Sequence, residues 1–180
     1  MGGGGRVTPL MTIRPRRADD LPALVAALRA VHETMGYPSV WPDDPAAFVL
    51  GRGEAWVAQH AGRAAGQVML APLPEPRPGW ATQIAQPSGA VWHGGILEVK
   101  RLFVSPHAQG LGLARALLAH ARREASERRA FSVLQVNETS GPALGLYERE
   151  GWRFLTRAQA AWTDPDGSHP WVRVYVQPGP

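Results

Sequence analysis

Val104-Ser105-Pro106-His107-Ala108-Gln109-Gly110-Leu111-Gly112-Leu113-Ala114, running on into Arg115-Ala116-Leu117-Leu118, is the stretch that decides the fold of this chain. An apolar run over residues 97–104 stops at Pro106, and apolar residues at helical spacing begin just past two glycines. The pattern predicts a strand that feeds a helix through a tight turn. The first amides of a helix have no partner within it, so a junction of this kind attracts phosphate oxygens. The spacing is not G-x-x-x-x-G-K-[ST]: no lysine follows to reach a terminal phosphate and no hydroxyl to hold magnesium. Nor is it G-x-G-x-x-G, because Arg115 stands where the third glycine belongs. A phosphorylated ligand is expected, but not a kinase, ATPase or dinucleotide fold.

The remaining composition narrows the setting. At 180 residues and 44% hydrophobic, the chain can bury one substantial core. One domain over residues 11–177 is expected, preceded by a flexible glycine-bearing segment at residues 1–10. Without cysteine, disulfides, thiolate metal sites and a cysteine nucleophile are excluded. No long apolar run or secretion signal is visible, so the expected location is cytoplasmic with no membrane partner. The net charge of +4 comes from 19 Lys+Arg, nearly all arginine, against 15 Asp+Glu. Arg14, Arg16 and Arg17, then Arg122, Arg123, Arg128 and Arg129, cluster without interleaved aromatics, so no nucleic-acid partner is expected. The histidines lack H-E-x-x-H spacing, and no metal is implied.

Along the chain, a strand at 12–14 precedes a helix capped by Asp19 or Asp20, with a stripe of Leu21, Leu24, Val25, Leu28 and Val31. Gly36 and Pro38 end that helix. A substrate-side loop with Trp41 and a short helical piece through Phe48 follow. Residues 55–60 and 64–71 form a hairpin about Gly62 and Arg63. The long proline-bearing loop 72–95 is expected to be disordered or to act as a lid. After strand 97–104, Leu113, Leu117, Leu118, Ala121 and Ala125 make a helical face that packs on the sheet. A strand at 131–136, a short helix at 142–150 stopped by Gly151, and an antiparallel pair over 152–162 and 171–176 complete the order.

Gln109-Gly110-Leu111-Gly112-Leu113-Ala114 resembles the Gln/Arg-x-x-Gly-x-Gly/Ala signature of the Gcn5-related N-acetyltransferase (GNAT) superfamily. The preceding Lys100-Arg101-Leu102-Phe103-Val104 and the later Asn137, with Ala143-Leu144-Gly145-Leu146-Tyr147-Glu148-Arg149-Glu150-Gly151-Trp152, are similar to the family in the same order. The resemblance implies an α/β (α+β) domain whose mixed, mainly antiparallel twisted sheet is flanked by helices and has splayed central strands. It implies acetyl-CoA as acyl donor, its pantetheine arm against Leu102, Phe103 and Val104. Gln109, Gly110, Leu111, Gly112, Leu113 and Ala114 would hold the pyrophosphate, and Asn137 would also contact the cofactor. Arg115 or Arg101 would supply a further cation, with neither oriented by sequence.

The implied activity is N-acetyl transfer to a primary amine by direct attack in a ternary complex; the alternative is an inactive acyl-CoA-binding or regulatory protein. Such attack needs a deprotonated amine, a stabilised oxyanion and a proton for the departing thiolate. By family position Tyr147 is the general acid and Glu98 the base, with His93 a second proton acceptor. The partner is a small-molecule or peptide amine, with Trp41, Trp80 and Trp92 as apolar walls, and the protein a monomer or homodimer.

Overall fold

The computed structural model describes residues 11–84 and 94–177. Its seven strands are β1 (Met11–Pro15), β2 (Glu54–His60), β3 (Arg63–Pro72), β4 (Ile96–Val104), β5 (Phe131–Asn137), β6 (Arg153–Gln159) and β7 (Trp171–Gln177). They form one open sheet in the order β1-β2-β3-β4-β5-β7-β6. Every pairing is antiparallel except β4 with β5. That parallel step requires a crossover, which is α3 (Leu113–Glu127). The other helices are α1 (Leu21–Met35), α2 (Pro45–Leu50) and α4 (Gly141–Arg149).

Strand alternation sorts the core onto two faces. On β2, Trp56 and Ala58 face α3, where the predicted stripe of Leu113, Leu117, Leu118, Ala121 and Ala125 is wholly buried. Val57 faces the other way and joins Leu24, Leu28 and Val31 of α1, Val49 of α2, and Phe103. The sheet is thus covered on opposite sides by α3 and by the α1–α2 pair. Replacing a residue as enclosed as Leu117 by Ala is a loss of about 2–5 kcal/mol.

Three local expectations are corrected. Asp20 stands at the start of α1, but its carboxylate does not cap that helix. It turns back to β1, taking Arg14 Nη1 and Nη2 at 2.7 and 2.6 Å and the Arg17 amide at 2.7 Å. Those charge-assisted bonds satisfy a buried carboxylate that one helix amide would leave half-paired. The segment after β3 is not wholly a lid either. Leu73, Trp80 and Ala81 pack under Val133, Val174 and Val176, so the sheet seats this part of the loop. Trp80 is therefore a core residue and not an acceptor wall, because a large ring covers apolar strand surface there. Trp92 and His93 lie outside the described residues.

The Arg14 hydrogen bonds, opposed by burial, hold the Asp20 carboxyl below its ordinary range. A depressed carboxyl contributes stability above its unfolded value, lost as pH falls through the folded one. Asp20→Asn should therefore lower stability at pH 7 by about 2–4 kcal/mol. In urea titrations the gap to wild type should close as pH drops below about 4. A pH-independent gap would contradict this role for the pair.

Candidate active site

The β4–β5 ladder is short. Ile96, Leu97, Glu98 and Val99 pair with Phe131, Ser132, Val133 and Leu134, and there the pairing ends although both strands continue. The cause lies on the other edge of β4. Met69 pairs with Lys100 but Gln67 with Phe103, so β4 carries one extra residue, and Arg101 takes φ +50° to accommodate it. Such a bulge bends its strand and raises the local twist. β4 thereby leaves β5 and stays on β3, where Gly66 lets the backbones close up: a Cβ there would overlap the Phe103 carbonyl.

Beyond the bulge, Ser105 donates its amide to Ala65 at 2.7 Å. Alternation then places Phe103 on the β3 side and turns the backbone groups of Leu102 and Val104 into the opening. Gln109 Nε2 donates to the Val104 carbonyl at 3.3 Å, tying the loop to the end of β4. Gly110 and Gly112 adopt φ +76° and +78°, a left-handed backbone that favours glycine, and a Cβ at either would meet open space. Gly112 caps α3 without a side-chain acceptor, and the first helical amide to find a backbone partner is that of Ala116, 3.0 Å from the Gly112 carbonyl. The amides of Leu113, Ala114 and Arg115 remain available at the positive end of a fifteen-residue helix. Leu111, between the glycines, is 51% exposed.

The candidate cations now have directions. Arg115 pairs with Glu150 at 2.9 Å. Arg101 points to the α2 side, its guanidinium 4.6 Å from the centre of the Phe48 ring. Asn137 is engaged locally, its side-chain oxygen accepting from the amide and hydroxyl of Thr139 at 3.0 and 2.8 Å.

Glu98 is buried, and both its oxygens are held: Gln135 Nε2 donates at 2.8 Å and Lys100 Nζ lies at 3.1 Å. Its neighbours Leu97 and Val99 face α3, so Glu98 faces the α1–α2 side. Tyr147 belongs to the opposite face, where its ring lies 6.3 Å from Trp152 and from Tyr175. Its phenol makes no hydrogen bond among the described residues. Burial first, and then Tyr37, raise the Tyr147 phenol above its usual range. Tyr37 follows α1, on the other side of the sheet, and keeps over a third of its surface open to solvent. Desolvation of its phenol raises that group too, with Arg101 opposing.

Sequence reasoning placed a substrate-side loop before α2 but missed the buried residues that hold the end of that helix. Gln67, buried on β3, donates to the Val49 carbonyl at 3.2 Å and accepts from Arg16 Nη1 at 3.1 Å. Arg16 also donates to the Val49 and Leu50 carbonyls at 2.6 and 2.8 Å, fixing the end of α2 beside Arg101. A buried glutamine in an apolar strand was the one available signal.

A sheet that opens between two parallel strands, with a glycine turn and unspent helix amides at its mouth, has backbone donors and room for an extended, phosphate-bearing ligand. The chain belongs to the acetyltransferase (GNAT) domain family, which it matches over residues 51–154. It is 43% identical over 74 residues to a mycothiol acetyltransferase of Acidothermus cellulolyticus, a match covering 41% of this chain and 23% of that relative. It is similar in fold to Arabidopsis thaliana NAA60 in complex with acetyl-CoA, with a TM-score of 0.70, 20% identity and 93% and 97% of the two chains covered. The ribosomal-protein-S18-alanine N-acetyltransferase of Escherichia coli gives a TM-score of 0.65 at 21% identity, covering 93% of each chain. Among the described residues no His/Asp/Glu cluster fits a metal, and no helix is long and apolar enough to cross a membrane.

Leu111→Glu places a charge beside the glycine turn without demanding a new backbone conformation. It should weaken acetyl-CoA binding at least about fivefold by calorimetry, from about 1 kcal/mol of repulsion per charge pair at 4 Å in water. Added salt should shrink the effect. Unchanged affinity in a folded variant would place the phosphates elsewhere.

Proposed function

We propose that this protein is an N-acetyltransferase that passes the acetyl group of acetyl-CoA directly to a primary amine held on the α1–α2 side of the sheet. The observation that carries this reading is the end of the β4–β5 ladder at Val99–Leu134, directly before a loop whose amides are unspent. Acetyl-CoA fits what that opening offers. Leu102, Phe103 and Val104 supply free strand edge for an amide-bearing arm, and Gly110, Gly112 and the amides through Arg115 supply donors without side-chain obstruction. When bound, acetyl-CoA supplies an activated acyl carbon and a thiolate leaving group.

The chain's own groups divide the remaining work. The Val104 amide, turned into the opening, is placed to donate to the acyl oxygen as negative charge develops there. Glu98 receives the proton of the incoming ammonium on the acceptor side, directly or through water. Lys100 must first yield, since it and Gln135 occupy both carboxylate oxygens. An arriving ammonium is the natural competitor for Lys100, because it offers the same charge and donors. Tyr147 faces the leaving sulfur. Its raised phenol stays protonated across neutral pH, and a group less acidic than a free thiol, with its pKa near about 8.5, acts chiefly as a hydrogen-bond donor to the thiolate.

The acceptor amine is approached from the opening flanked by Tyr37, Phe48 and Arg101. Trp41 stands behind this region, stacked on His32 at 5.3 Å and under Arg29 at 4.6 Å, and serves as packing more than as a wall.

A coenzyme A release assay over amines, polyamines, amino acids and peptide N-termini, with product mass measured, tests the activity. An acetylated amine supports it; binding of acetyl-CoA with no product anywhere supports an inactive binding protein instead. Tyr147→Phe should lower kcat about 10–100-fold, the worth of one hydrogen bond to a charged group, with acetyl-CoA affinity kept. Glu98→Gln should remove the low-pH limb of kcat/KM for the same amine. A superimposable profile would assign deprotonation to solvent.

A further inference from the structure

Arg101 carries a charge that nothing in the described structure pairs. Its Nη1 is shut off from solvent and has no hydrogen-bond partner. No carboxylate lies within ion-pair distance of it among the described residues, and the nearby acids are committed elsewhere. Asp20 pairs with Arg14, Glu98 with Lys100 and Glu54 with Arg128, while Asp44 caps α2 through the Ala47 amide at 2.9 Å. Residues 1–10, 85–93 and 178–180 include neither aspartate nor glutamate, so they bring no acidic side chain to it. A second cation, Arg16, lies close enough that Arg101 makes its charged form harder to hold, and Arg16 is itself matched only to carbonyls and the Gln67 amide oxygen. Asp20, already paired with Arg14, offsets part of this at Arg16 but not at Arg101, so two arginines are partly buried near each other and neither forms an ion pair among the described residues.

The surroundings keep this cation in place. The guanidinium lies over the Phe48 ring, and the gap it enters exists because residue 51 is glycine: a Cβ there would overlap Nη1. Its backbone is the bulge itself, at φ +50°, so the same residue that parts β4 from β5 carries the charge into the acceptor side of the opening. The phosphate-facing turn, by contrast, lies at the start of α3, which covers the other face.

Burying an unpaired charge is unfavourable by several kcal/mol unless a partner arrives. Arg16 meets its burial with three acceptors, whereas Arg101 Nη1 has none within the described fold. We propose that Arg101 is the specificity residue of the acceptor pocket and that the acceptor is an amine bearing a carboxylate a few bonds from its nitrogen, an amino-acid-like molecule. This rests on the N-acetyltransferase reading above. With Nη1 enclosed against Gly51, the Nε and Nη2 edge, which makes no hydrogen bond among the described residues, takes a carboxylate in two parallel hydrogen bonds, fixing the distance from the anion to the nitrogen that attacks.

The test pairs amino acids with molecules that differ only in the anion. Glycine, alanine and phenylalanine are compared with their carboxamides and their decarboxylated amines for acetyl transfer. The N-acetylated acids and amides are titrated in parallel in the presence of coenzyme A. Wild-type protein should favour the carboxylate member of at least one set about tenfold or more in kcat/KM and in affinity. Arg101→Gln should abolish that preference while leaving acetyl-CoA affinity unchanged, and Gly51→Ala, which evicts the guanidinium, should do the same. The Tm of Arg101→Gln without ligand should equal or exceed that of wild type, an outcome a purely structural arginine would not give.

Equal turnover of acids and carboxamides by wild type would overturn the proposal and leave the N-acetyltransferase reading standing. No acetylation of any amine would count against that reading, and the titrations then decide on Arg101: a carboxylate preference lost in Arg101→Gln upholds it, and no preference overturns it. A lowered Tm in Arg101→Gln with the preference kept would also overturn it.

Discussion

The extra residue in β4 at Arg101 is the constraint from which the rest of the site follows. A parallel strand pair paired along its whole length has no room for a ligand and no free backbone. Here pairing stops at Val99–Leu134 while β4 keeps its bonds to β3, so Leu102 and Val104 offer backbone donors and acceptors to the opening. An L-residue at φ +50° is disfavoured, and the neighbouring ladder must hold it there. The close approach of Gly66 to Phe103 is part of that hold.

The arginine excess divides by environment. Arg14, Arg128 and Arg157 lie on acidic partners, Arg14 with the buried Asp20, and their guanidinium groups are held above their ordinary range by those hydrogen bonds. Arg16 and Arg101 run the other way. Burial pushes both down, and neither forms an ion pair among the described residues, although Asp20 partly offsets the shift at Arg16. Stability and function separate along this line: the first group secures β1, the α3 end and β6, and the second stores unfavourable electrostatics beside the acceptor opening. Glu98 is likewise tied, to Lys100 and Gln135.

How much of this was visible in the sequence depends on whether a residue type signals its own conformation. Gly110 and Gly112 did, since both occupy the left-handed backbone that makes glycine useful between a strand and a helix. The α3 stripe did as well, because helical spacing and burial are one pattern. The GNAT fold with its flanked, open sheet, implied by the resemblance around Gln109–Ala114, is borne out. The bulge was silent: Lys100-Arg101-Leu102 has no glycine or proline to mark it, and the φ of Arg101 is imposed by the β3 register. Trp80 misled because a tryptophan in a proline-rich loop reads alike whether it lines a pocket or, as here, plugs the surface of β5 and β7. Asp20 misled because helix capping is a local rule and Arg14, six residues earlier, outbid the helix amide.

Amide hydrogen exchange with and without acetyl-CoA tests the central claim, that a ligand completes the strand edge and helix start left open by the bulge. Slowed exchange confined to Leu102 and Val104 and to the amides from Gly110 through Arg115, with the Phe103 and Ser105 amides protected in both states, is the predicted result. Binding of acetyl-CoA that leaves those amides unchanged, or protects only the α1–α2 side, would contradict it.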